Sequence, residues 1–212
     1  PASGDIISFS AGTDATSGNF DIAVNQLAQG SRAVSTAGAF TSSEQVITSQ
    51  ASTLTFGAGA ESFSVAVDAN ATLEDIRQAV NNSTDNIGVT ANIINTGTEA
   101  KLVYSSEITG AGNDLEVTND NAELDALSTV ANGGGAGGMT IAAGDEATDA
   151  EIVIDGIVAT NSTNTFTDVI QGSTVTAEAV SEAGESASVD IGRDREGVTK
   201  LVDEFIKSYN AV

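Results

Sequence analysis

The sequence predicts a mainly β fold with short helices, and three observations carry that expectation. Apolar residues recur at period two on either side of Gly-rich turns. Apolar residues at helical spacing form two stretches, one short and one at the C-terminal end. Aromatic residues are only 4% and Trp is absent, so a core must be assembled from small and β-branched side chains.

Ile6 to Ser10 and Phe20 to Val24 are short apolar runs separated by the turn-rich segment Gly12 to Gly18, which reads as two strands joined by a loop. Leu54 and Phe56, then Phe63, Val65 and Val67, alternate with polar or small residues around a Gly-rich turn, giving a hairpin with one buried face. Thr72 with Asp75 three residues on makes a capping-box start, and Leu73, Ile76 and Val80 follow at helical spacing. A short amphipathic helix is therefore expected at about 72–82. Val89 to Ile93 and Lys101 to Tyr104 flank the turn Asn95 to Thr98 as a second hairpin, and Leu115 to Val117 offers a further strand.

Residues 132–138, NGGGAGG, form the run with most conformational freedom, since consecutive glycines lose the most entropy on ordering; a loop tip or a domain linker is expected there. Strand character resumes at Ile152 to Ile154, Ile157 to Ala159 and Val175 to Ala179, with Asp155-Gly156 as a favoured two-residue hairpin turn. The segment TLEDIRQA at 72–79 has a counterpart in TFTDVIQG at 165–172, which suggests two related β-rich modules. Val198, Leu201, Val202, Phe205, Ile206 and Tyr209 fall at i, i+3, i+4, i+7, i+8 and i+11, the clearest helical stripe in the chain. Such a stripe needs an apolar partner, and the intact protein is expected to continue beyond both ends.

Seven Lys and Arg against thirty Asp and Glu leave a net charge of −23. Residues 193–212 hold four bases and four acids, so residues 1–192 carry all of it. That field repels phosphate backbones and anionic lipid, and neither nucleic acid nor membrane is expected as a partner. No apolar run approaches the roughly 20 residues that span a bilayer, and the chain does not open on a basic and then apolar leader.

With neither His nor Cys, the common triads, dyads and thiolate zinc sites lack their parts. Asp155 sits in a turn that Asp favours. The run after Gly133 lacks the Asp that calcium-binding Gly-rich repeats require, and the acids Asp120, Glu123 and Asp125 lack the loop Gly and distant bidentate Glu of an EF-hand. Gly110 to Asn113 is too short to cradle a phosphate. No catalytic residue, cofactor or metal site is expected, and the chain reads as non-enzymatic.

Four blocks carry a family resemblance. NFDIAVNQLAQGSR from Asn19 to Arg32, followed by AFTSS from Ala39, resembles the strand and VxQLAQ signature of the flagellar filament cap family, the second hook-associated proteins. STLTFGAG from Ser52 through the 72–82 helix to IGVTANI from Ile87 is similar to a motif repeated in flagellins and hook-associated proteins. AEIVIDGIVATNSTNTFTDVIQGSTVT from Ala150 is similar to the cap family's IDG block, with Asn161 where a basic residue is common, and VDEFIKSYNAV from Val202 resembles the opening of its C-terminal coiled-coil helix.

The resemblance implies two outer β domains, one inserted in the other, carried on a helical stem. Residues 1–49 and 148–193 are expected to form a discontinuous base domain, 50–147 an inserted β-rich domain with one short helix, and 194–212 the start of the C-terminal stem helix. It also implies an extracellular cap at the filament tip, exported without a cleaved signal peptide. The implied partners are its own copies in a ring-like homo-oligomer, the flagellin subunits that fold and insert beneath the cap, and host or surface ligands. Val198, Leu201, Val202, Phe205, Ile206 and Tyr209 are the expected stem and oligomer packing residues. Another axial protein, such as a junction protein or flagellin, would share the repeated motif, but the IDG block argues against it; an extracellular adhesive β module would share the acidity and strands.

Overall fold

The computed structural model describes residues 6–192, 202–204, 206 and 207. Two units divide the chain: the first takes residues up to Asn25, Ile152–Ala159 and the chain from Thr165 on, and the second takes Gln26–Glu151 with Thr160–Asn164. The second unit is thus inserted in the first. In chain order its main stretch begins at Gln26 and ends at Glu151. The physical reason is pairing: Gly30–Ser35 is a strand whose partners, Ala100–Thr109 and Met139–Ile141, all lie in the second unit.

In the first unit, β1 (Ile7–Ala11) and β2 (Gly18–Gln26) form where strands were expected, but they enter different sheets. β1 pairs antiparallel with β13 (Ser173–Ala177), which also pairs with β12 (Thr165–Thr167). The other sheet runs β11 (Ile157–Asn161), β10 (Ala150–Ile154), β2, β14 (Ala187–Ile191). Asp155 and Gly156 join β10 to β11 with φ of 49° and 84°, the two positive values that a type I′ hairpin demands. Alternate side chains are buried, among them Ile22, Val24, Ile152, Ile154, Val175 and Val189.

The second unit contains β3 (Gly30–Ser35), β4 (Ser52–Ala58), β5 (Glu61–Val67), β6 (Val89–Asn95), β7 (Ala100–Thr109), β8 (Glu116–Asn119) and β9 (Met139–Ile141). They form the sheets β6-β7-β3-β9 and β5-β4-β8. The expected hairpin is β4–β5, in which Leu54 faces Val65 and Phe56 faces Phe63, all buried. Phe56 stacks on Phe63 at 5.1 Å and meets Tyr104 edge to face at 5.1 Å, so three of the chain's few aromatic rings make one cluster.

The helix α1 (Leu73–Asn81) begins with the expected capping box: the Asp75 N–H donates to the Thr72 hydroxyl and the Thr72 N–H to the Asp75 carboxylate. Leu73, Ile76 and Val80 enter the core. The counterpart at 165–172 is not a helix. Its Asp168 adopts φ 57° and accepts from the Gly172 N–H, and Gly172 at φ 72° turns the chain straight into β13. Similar letters therefore fold differently, because the second copy has Gly172 where the first has Ala79 and continues its helix through Val80 and Asn81.

The glycine run 132–138 is a loop tip within the second unit, not a linker between units. At its base, Gly137 and Gly138 leave no room for a side chain: a Cβ would lie 2.0 Å from the Ser128 carbonyl oxygen and 2.6 Å from the Ala126 Cα, respectively.

Candidate functional site

Of the six expected packing residues, Val202 and Ile206 are described: both are helical, one turn apart, and half exposed at 50% and 48%. Val198, Leu201, Phe205 and Tyr209 lie outside the described residues. Elsewhere, Ile157 and Val158 on the edge strand β11 are exposed at 72% and 57%.

The blocks that carried the resemblance hold backbone clamps. Asn164 accepts the Ala28 N–H at 2.7 Å and donates to the Ala28 carbonyl at 3.1 Å, tying LAQ to the segment 136 residues later. Thr148 and Gln29 exchange two backbone hydrogen bonds beside it, at 3.0 and 3.1 Å. The Asp155 carboxylate accepts the Asp21 N–H at 3.0 Å. In the hook motif, Asn81 accepts from the Ala91 N–H and donates to its carbonyl, both at 2.8 Å, fixing the end of α1 to β6. Asn86 accepts from the N–H groups of Gly88 and Val89 and donates to the carbonyls of Val80 and Val89.

These side chains were invisible to sequence reasoning as functional groups. Asn and Asp in turn-rich segments announce local hydrogen bonding. They do not announce a partner more than a hundred residues away.

Electrostatics follow the composition. Each of the three bases between residues 6 and 192 has an acidic neighbour: Arg77 with Glu74, Lys101 with Glu99 at 3.5 Å, and Arg32 with Asp145 at 3.7 Å. Hydrogen bonds from Arg77 and then Gln78 hold the half-buried Glu74 carboxyl down at about 2. Asp75 is lowered by the Thr72 N–H and hydroxyl, and Glu123 by the Ser49 N–H, then the Ser49 and Thr48 hydroxyls. The depression of about 300 Å³ beside α1 is lined by Val67, Asp68, Asn70, Asp75 and Ile76, where the Asp75 carboxylate is already engaged in the capping box. Among the described residues, no group of three or more acids is placed to hold a metal ion, and no helix is long and apolar enough to cross a membrane.

Residues 53–107, from β4 to β7, match the flagellin hook IN motif. The fold and this motif define the class: a β-rich structural segment of the bacterial flagellum. Residues 147–212 match the C-terminal region of flagellar hook-associated protein 2. The flagellar hook-associated protein 2 of Aeromonas caviae is 42% identical over 204 residues, covering 93% of this chain and 42% of that protein. The crystal structure of FliD (HAP2) from Pseudomonas aeruginosa PAO1 superposes with a TM-score of 0.80 at 27% identity, over 98% of this chain and 93% of that one. The D2-D3 domains of the flagellar cap protein FliD from Escherichia coli superpose with a TM-score of 0.74 at 25% identity, over 92% and 98%. The chain belongs to the flagellar hook-associated protein 2 family, and it spans less than half the length of its Aeromonas relative.

Proposed function

We propose that this chain is the outer, β-rich part of a cap at the distal end of the bacterial flagellar filament, where it promotes folding and insertion of exported flagellin subunits. The observation that carries this is the 42% identity to a flagellar hook-associated protein 2 along 93% of the chain. The role is structural and not catalytic. Its partners are copies of itself, in a ring-like homo-oligomer of the full-length protein, and flagellin; export proceeds without a cleaved signal peptide.

The apolar sequence stripe Val198, Leu201, Val202, Phe205, Ile206 and Tyr209 joins this segment to its stem. Val202 and Ile206 leave apolar surface in water, and burying each large apolar side chain against a stem helix contributes roughly 1.5–3 kcal/mol. The full-length protein should restore filament growth to cells that lack their cap and leak flagellin. Continued leakage despite normal export would overturn the capping role. In the full-length protein, Phe205→Asp should weaken ring assembly by sedimentation while the β circular dichroism is unchanged; normal assembly would remove the stripe from the interface.

A further inference from the structure

We propose that Asn132 is a site of spontaneous covalent modification, an exposed asparagine that converts to aspartate or isoaspartate through a succinimide. The Gly133 amide nitrogen attacks the Asn132 side-chain carbonyl carbon and gives up its proton. The carbon–nitrogen bond to the side-chain NH2 breaks and ammonia leaves. Water then opens the five-membered ring at either carbonyl. No oxidant, metal or enzyme enters the balance.

The chemistry needs a following residue that does not shield its own amide nitrogen, a side-chain amide free to rotate, and a backbone that can close the ring. Asn132-Gly133 is the one Asn-Gly pair in the sequence. Both residues are exposed, and a Cβ added at Gly133, Gly134 or Gly135 would meet nothing within 4 Å. The tip is closed by Gly134 N–H to Ala131 O at 2.9 Å and Ala131 N–H to Gly135 O at 3.1 Å, which leaves the Gly133 N–H outside the turn's hydrogen bonds. The Asn132 backbone N–H donates to the Asp125 carboxylate at 2.7 Å, so the main chain is anchored just before the reacting atoms while the side-chain amide is not engaged.

Asn81, Asn86 and Asn164 have both polar atoms of the side chain committed to backbone groups. The one Asp-Gly pair, Asp155-Gly156, is susceptible to the same ring closure by composition, but its carboxylate accepts the Asp21 N–H and its backbone is fixed in a two-residue hairpin. Conversion at Asn132 adds a negative charge beside Asp125, and the isoaspartate product also lengthens the main chain directly after the Asp125 anchor. The loop thereby acquires a slow, irreversible mark of age.

The test is to incubate the folded chain at mildly alkaline pH below its melting temperature, then map peptides by mass spectrometry with isoaspartyl methyltransferase labelling. The Asn132 peptide should gain one mass unit on the order of tenfold faster than any other asparagine peptide. Isoaspartate should accumulate there and not at Asp155, and Asn132→Gln should abolish the leading acidic species on isoelectric focusing. Conversion at Asn132 no faster than elsewhere, or an unchanged acidic species in the Asn132→Gln variant, would overturn the proposal.

Discussion

Single side chains in this chain act mainly on the backbone. Asn164 satisfies both polar groups of the nearly buried Ala28, and an unpaired buried N–H costs about 1–3 kcal/mol. Asn164→Ala should therefore lower stability by about that amount in urea titration, and an unchanged midpoint would show that water replaces the clamp at no loss. Tyr104 presents the opposite case. It is fully buried, its hydroxyl has no protein partner, and burial raises its ionisation far above the ordinary range. The ring is held by Phe56, but the hydroxyl is a desolvated cost. Tyr104→Phe should keep the packing and leave stability equal or higher by about 1 kcal/mol; a loss of that size would mean the hydroxyl is satisfied in solution.

Among the elements, the 3-10 turn Ala122–Leu127 is fastened to the loop before β4 by Glu123, which accepts from the Ser49 N–H and hydroxyl and the Thr48 hydroxyl. These hydrogen bonds hold its carboxyl below the ordinary glutamate value of 4.5. A lowered folded value stabilises fully above the unfolded one, and the contribution disappears as pH falls through the folded value. Wild type should thus be more stable than Glu123→Gln at neutral pH, and the gap between their melting temperatures should close as the pH is taken below about 4.5. A gap that is constant with pH would assign the difference to shape and not to charge. The capping box of α1 was legible because it is local: Thr72 and Asp75 are three residues apart, and both halves form.

For the whole molecule, acidity dominates. With the three bases upstream of residue 193 each beside an acid, no cationic stripe is left on either unit among the described residues to neutralise phosphates. The chain should show no binding to duplex DNA at moderate salt, measured by fluorescence anisotropy; salt-sensitive binding would locate an unrecognised basic surface. The insertion of one unit in another also belongs to this scale. It requires the chain to leave the first unit after Asn25 and to return at Ile152, and the paired bonds of Gln29 with Thr148 hold the two passing segments of the second unit together.

Spacing over a few residues was enough to read off the strand-rich class, both hairpins of the hook motif, the limits of α1 to within a residue and the Asp155-Gly156 turn. The family was legible for the same reason: its blocks are contiguous. Long-range pairing set the rest: β1 and β2 enter different sheets, β3 belongs to the second unit, and the short strands β9 and β14 exist at all. It also decided that TFTDVIQG is strand and turn where TLEDIRQA is helix. Those outcomes rest on strand pairing between residues far apart in sequence, such as Ala33 in register with both Tyr104 and Ile141, or Ile22 with Ala187. Local periodicity tells a strand which face to bury; only the assembled sheet supplies the neighbour whose backbone completes its hydrogen bonds.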